Sequence, residues 1–129
     1  MDLMPTVLDL AGVSHPGSSF RGREVEPMRG SSMLPMLIGE ADRVHEPDDV
    51  MGWELFGRRA IRQGDWKLVW TTHPFGADDW ELFNLAEDPA ESRDLSTEYA
   101  GRRGELIGLW DRYVEEVGVL LPSEPMKTY

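Results

Sequence analysis

The stretch from Trp53 to Trp70, WELFGRRAIRQGDWKLVW, constrains the fold of this 129-residue chain more than any other, because it holds three of the five tryptophans and reads as a β-hairpin. Arg59 to Gln63 forms one arm, Gly64-Asp65 the turn, and Trp66 to Trp70 the other arm. In the second arm Trp66, Leu68 and Trp70 point one way and Lys67 and Val69 the other, the period of two of a strand with one buried face. Gly64 supplies the positive φ that a tight turn needs. Arg58, Arg59 and Arg62 surround Ala60 and Ile61 in the first arm, so its outer face is expected to be wet. Trp53-Glu54-Leu55-Phe56 returns as Trp80-Glu81-Leu82-Phe83. Two copies of a four-residue word fall short of a solenoid; the expectation is two strands of one sheet with similar burial.

The flanks supply helices. Asp2 is placed to cap a helix with Pro5 in its first turn, and Leu3, Val7, Leu8, Leu10 and Ala11 lead to a stop at Gly12. This helix is apolar on more than one side and needs neighbours on most of its faces. Val13 to Ser32 is rich in Gly, Pro, Ser and Arg and reads as irregular. Ser31 or Ser32 caps a short turn of helix over Met33 to Ile38, ended by Gly39, and a polar loop runs from Glu40 to Asp49. Strands are expected at Val50 to Phe56, Arg59 to Gln63, Trp66 to Thr71 and Trp80 to Leu85. The connection Thr72 to Asp79 is a loop, and Leu85 to Leu95 an acidic turn around Pro89. Ser96 or Thr97 then opens a long helix to about Val117, with Leu106, Trp110, Tyr113, Val114 and Val117 on one face and Gly118 as its end. Leu121 to Tyr129 reads as an extended strap or loose tail. Helix, irregular segment, antiparallel strands, helix is an α+β order, with the long helix covering one face of a sheet of about four strands.

Composition narrows the function. Hydrophobic residues make up 40% of the chain, enough for a core, and the size suits one domain. A net charge of -11 repels nucleic acid and acidic membrane surfaces. With no cysteine, disulfides, thiolate metal sites and cysteine nucleophiles are excluded. No apolar run is long enough to span a membrane. The start, MDLMPTVLDLAGV, lacks the basic residues and cleavage site of a signal peptide, and the compartment stays open.

Four segments in order resemble the C-terminal portion of type I sulfatases, most closely bacterial arylsulfatases. MDLMPTVLDLAGV resembles the helix that closes the catalytic α/β domain. FRGREVEPMRGSSMLPMLIGE resembles the family's crossing segment, RRAIRQGDWKLVW its hairpin, and WELFNLAEDPAESRDL its last strand and turn, with Phe83 and Asn84 as mild departures. The resemblance implies that residues 1–40 end the catalytic domain and residues 41–129 form the C-terminal subdomain, a four-stranded antiparallel sheet packed with a long helix. It also places Met1 inside the full-length enzyme, so the chain is expected to be a C-terminal fragment.

The same resemblance implies what is missing. Type I sulfatases cleave sulfate esters with a formylglycine made from the Cys or Ser of a Cys/Ser-x-Pro-x-Arg motif, with calcium held by Asp and Asn side chains, and with Lys and His at the leaving oxygen. Ser14-His15-Pro16-Gly17-Ser18 has Ser18 where Arg is required, and Ser123-Glu124-Pro125-Met126-Lys127 has Lys there, in a tail with no helix after it. Asp48-Asp49 and Asp78-Asp79 read as solvated turn residues. No catalytic residue, metal ligand or cofactor is therefore assigned to this chain; calcium and formylglycine are expected in the missing catalytic domain.

His45, in the loop before the first strand, is a candidate for the rim of the substrate cleft, since loops of this subdomain can reach the cleft mouth in sulfatases; the plainer alternative is an exposed loop histidine. Lys67 is expected on the wetter sheet face, its stem packed and its amine solvated. Trp66, Trp70 and Trp110 are expected in the sheet–helix core rather than on a sugar platform. Glu54 and Arg59 are expected to pair across neighbouring strands, contributing ~0–1 kcal/mol. The leading reading is a support domain of an arylsulfatase-like hydrolase, inactive alone, whose partner is the missing N-terminal domain. The alternatives are a stand-alone module that self-associates through its exposed first helix or binds a partner, and the same part of a phosphonate or phosphate ester hydrolase.

Overall fold

Turns with positive φ set the main sheet. In the computed structural model, which describes residues 1–122, strands β3 (Val50–Leu55) and β4 (Arg58–Gln63) are joined by Phe56 and Gly57, both at positive φ (59° and 85°). This is the requirement of a type I′ hairpin. Gly64, at φ 59°, turns the chain from β4 into β5 (Trp66–Trp70), and β6 (Trp80–Asn84) follows after a longer loop. The four strands form an antiparallel meander in the order β3-β4-β5-β6. In register, Trp53 faces Ala60, Ile61 faces Leu68, and Leu68 faces Leu82.

Helix α3 (Ala100–Val117) covers one face of this sheet and ends at Gly118 in the left-handed conformation (φ 66°). Leu106 and Trp110 from the helix close over Ile61, Leu68 and Leu82, with Trp80 and Leu95 completing the core. Ile61, Leu68, Leu82 and Leu106 are fully buried, and each such side chain contributes roughly 1.5–3 kcal/mol. The aromatic rings run in series: Trp70 to Trp80 at 5.5 Å, Trp80 to Trp110 at 5.8 Å, and Trp110 to Tyr113 at 5.8 Å. At the end of the series the Tyr113 hydroxyl donates to the Gly52 carbonyl on β3 at 3.0 Å.

The chain divides into two compact units, Met1–Glu46 and Pro47–Tyr129. In the first, α1 (Leu3–Leu10) and α2 (Leu34–Leu37) flank a two-stranded ribbon, β1 (Ser19–Phe20) and β2 (Arg23–Glu24). The ribbon lies in a stretch the sequence marks as irregular; Arg21-Gly22, both at positive φ, makes the turn. Pro5 and Thr6 are the buried residues of α1. Leu3 (74% exposed), Met4, Val7 and Leu10 leave its apolar side open.

Several expectations are corrected. Asp2 makes no side-chain cap on α1. The long helix opens at Ala100 rather than Ser96 or Thr97, with Tyr99 at its N-cap and no side-chain cap; Ser96 instead donates its amide and hydroxyl to Asp94. The two Trp-Glu-Leu-Phe words share a sheet but not their burial: Trp53 is 45% exposed and Leu55 63%, against 9% for Trp80 and 0% for Leu82. Trp80 faces Trp70 on the helix-covered side, whereas Trp53 faces Ala60 on the other side. A shift of one residue in phase turns every side chain of a strand over. The Ser123–Lys127 motif and most of the tail lie outside the described residues.

Glycines give opposite tests of this packing. A Cβ on Gly52 would sit 2.5 Å from the Tyr113 ring, while Gly104 and Gly108 on α3 have open space around them. Gly52→Ala should destabilise by about 1–3 kcal/mol through overpacking, and Gly104→Ala and Gly108→Ala should each stabilise by about 0.5–1 kcal/mol. Urea unfolding midpoints check both signs.

Candidate functional site

The polar side chains most tightly organised in the second unit belong to the acidic turn after β6. Asp88 accepts the Ser92 amide (2.7 Å), the Arg93 amide (2.9 Å) and the Ser92 hydroxyl (2.9 Å). The Arg93 amide leads the groups that hold Asp88 below the usual carboxylate range. Asp94 accepts the Leu82 amide at 2.9 Å and both donors of Ser96. Burial works against ionisation of Asp94, but these hydrogen bonds and the Arg103 charge outweigh it and keep its pKa depressed. The turn is thus pinned to β6 by a carboxylate, and the Leu82 carbonyl accepts the Leu95 amide at 2.8 Å.

Beside it lies a cleft of about 360 Å³, lined among others by Asn84, Asp88, Arg93, Glu98 and Tyr99. Asp88 and Ser92 bond to each other there with no histidine in the lining, and Arg93 pairs with Glu98 at 2.7 Å. This is the chemistry of a self-satisfied turn: its acids already accept backbone hydrogens, and it lacks the base that would activate the serine.

At the opposite end of the helix-covered face, Arg59 lies over two indole rings, 4.4 Å from Trp70 and 5.4 Å from Trp80. Burial pushes its pKa down, with Asp78 and Glu54 acting the other way. Its buried Nε has no hydrogen-bond partner among the described residues. Arg59 therefore does not belong to a wet outer face. It stands directly opposite Glu54 in the register, yet the Glu54 carboxylate accepts the Gly57 amide at 2.7 Å instead. Asp79, read as solvated, accepts the Trp80 amide and Arg103 Nη2, both at 2.7 Å. The Lys67 amine is not simply solvated: it donates to Glu91 at 2.6 Å, with both side chains about three-quarters buried. Trp66, Trp70 and Trp110 do pack in or against the core, and Trp80 joins them.

His45 sits in the first unit, its side chain 19% exposed, with Nε2 2.9 Å from Asp2 Oδ2. Asp2 also accepts the Ser31 amide at 3.0 Å. Burial raises its pKa, but the bonds to His45 and Ser31 prevail and hold it below the ordinary value. Thr6 continues the cluster by accepting the Met33 amide at 2.9 Å. The histidine is therefore an anchor between its loop and the start of α1, and not a freely exposed side chain.

Among the described residues no group of three or more His, Cys, Asp or Glu converges as a metal cage would require. Of the acidic pairs, Asp79 accepts from Arg103 and the Asp48 backbone carbonyl accepts from Gln63. Among the same residues no helix is long and apolar enough to cross a membrane.

Comparison with known proteins places this architecture. No protein-family profile matches the chain. An uncharacterised sulfatase of Schizosaccharomyces pombe is 39% identical over 120 residues, which are 93% of this chain and 22% of that protein. A Delta 4,5-hexuronate-2-O-sulfatase of Bacteroides thetaiotaomicron is 28% identical over 122 residues, 88% of this chain and 23% of that protein. The crystal structure of Ps i-CgsB in complex with k-i-k-neocarrahexaose superposes with a TM-score of 0.61 at 24% identity, covering 87% of this chain and 23% of the other; at that identity it speaks for the fold. The four-stranded sheet with its covering helix is the sulfatase C-terminal fold, and the chain belongs to the sulfatases, corresponding to their C-terminal portion. It spans about a fifth of the length of the relatives it matches.

The carboxylate anchors of the turn were within reach of the sequence: Asp88, Ser92, Asp94 and Ser96 stand at the short spacings at which such side chains bond local backbone. Asp94→Ala should cost about 1–3 kcal/mol by leaving the buried Leu82 amide unpaired. Because the folded-state pKa of Asp94 is depressed, its charge stabilises the fold above the ordinary value of 3.8 and ceases to do so as pH falls through the folded value. The stability gap between the wild type and Asp94→Asn should therefore close on acidification, which denaturant melts at neutral pH and through an acid series would read.

Proposed function

We propose that this chain is the part of a sulfatase that buttresses the catalytic domain and shapes its substrate cleft, and that it cleaves no ester by itself. The observation that carries the reading is the coverage: 39% identity across 93% of this chain but only 22% of the relative, which leaves most of such a protein without a counterpart here. In this reading residues 1–40 complete the catalytic domain and residues 41–129 form the subdomain. Calcium and formylglycine belong to the catalytic domain.

The exposed apolar side of α1, with Leu3, Met4, Val7 and Leu10, supports the reading, since a contiguous apolar surface on a short helix is what a missing packing partner leaves behind. His45 stands in this reading at the cleft rim. Its ring is already oriented by Asp2, as a side chain that meets substrate from a loop would need to be.

The purified chain, given calcium, is expected to turn over neither a chromogenic aryl sulfate nor an aryl phosphate above the buffer rate. Sulfate turnover that survives repurification would show a catalytic site within this chain and overturn the support role; phosphate turnover alone would instead favour a phosphate ester hydrolase.

A further inference from the structure

Arg59 is a charge that the fold positions and leaves without a polar partner. The register sets it on β4 between Glu54 of β3 and Trp70 of β5. Its guanidinium lies 4.4 Å from the Trp70 ring and 5.4 Å from the Trp80 ring. The nearby acids do not bond it. Glu54, directly opposite, accepts the Gly57 amide, and Asp79 accepts the Trp80 amide and Arg103. Asp78 acts on Arg59 through its charge alone. Among the described residues the guanidinium makes no hydrogen bond and no ion pair, and its Nε is buried. A buried donor on a charged group is expensive to leave in this state. The indoles cannot relieve it: they offer π faces, while the N–H groups of a guanidinium point outward in its own plane.

We propose that Arg59, seated on the Trp70–Trp80 pair, is a binding site for a small oxyanion, a sulfate or a carboxylate group. The shared chemistry is two oxygens at the spacing of two guanidinium N–H groups, which they accept as a parallel pair. The indoles displace water around the guanidinium, so each bond to it is stronger than in bulk solvent. A lysine could not serve in the same way, since an ammonium is a point charge without the planar fork. The net charge of -11 works against general anion binding. The ion therefore has to be held by this one geometry, with an expected Kd of roughly 1–10 mM. Asp78 sets the affinity: its carboxylate is the counter-charge with which the anion competes, and its backbone stands at φ 55°.

The test follows the Arg59 Nε–H resonance by heteronuclear NMR while sodium sulfate, and separately sodium acetate, is added at constant ionic strength. Burial of Nε protects that proton from exchange and keeps it visible. The expected result is a saturable shift in at least one titration, and the anion that saturates at the lower concentration identifies the group the site suits. Arg59→Lys keeps the charge and should weaken binding about tenfold, read by tryptophan emission. Asp78→Asn removes the competing charge with a residue that tolerates the same backbone, and should tighten binding several-fold. Arg93→Lys, at an exposed arginine paired with Glu98, should bind as the wild type does. The proposal is overturned if neither anion saturates, if Arg59→Lys leaves the affinity unchanged, or if Asp78→Asn does not raise it. Should Arg59→Lys fail to fold, the Asp78→Asn comparison still decides. None of these outcomes bears on the catalytic silence expected of the isolated chain.

Discussion

The contact of the Tyr113 ring with Gly52 fixes how the long helix lies on the sheet. A helix packed on a flat apolar face can slide or roll with little penalty unless something interlocks. Here a ring with no room for a Cβ beneath it, and a hydroxyl bonded to the strand's own carbonyl, lock α3 to the edge strand. The series Trp70, Trp80, Trp110 and Tyr113 carries that lock across the sheet, because ring pairs at 5.5–5.8 Å tolerate only a few mutual orientations. On the far side Asp94 does the same for β6 by holding the turn that leads into the helix. The helix is thus fastened near both edges of the sheet, and the apolar core fills the space between.

The hairpin, the four strands and the covering helix were legible because each has a local cause: alternation of apolar residues, glycine where φ must be positive, and one apolar helix face. What escaped was set by tertiary position. The phase of the two Trp-Glu-Leu-Phe words follows from turn lengths on either side and cannot be read from the words themselves. Arg59 looks like a solvent-facing cation in the sequence, yet its register places it with Ile61 on the helix-covered face, where two indoles replace water around the guanidinium. Ser96 is a reasonable helix cap in isolation, but its amide and hydroxyl both donate to Asp94, two residues back, and it sits in the turn before the helix. Of the candidate site, the sequence found His45 and placed it in its loop, while its carboxylate partner Asp2 lies 43 residues earlier, beyond any local pattern.

These differences bear on function through the distribution of unsatisfied surface. In the second unit, the turn after β6 spends its acids on backbone hydrogens and on Arg93, so its cleft offers little to a substrate despite its volume. Among the described residues of the first unit, the exposed surface of α1 is apolar, carried by Leu3, Met4, Val7 and Leu10.

The apolar side of α1 is a side-chain surface: Leu3, Val7 and Leu10 lie exposed on a helix whose backbone is already bonded within the helix. Shape and apolar area are therefore the only terms by which that surface can select what it meets, since the helix has no free backbone ladder to offer along its side.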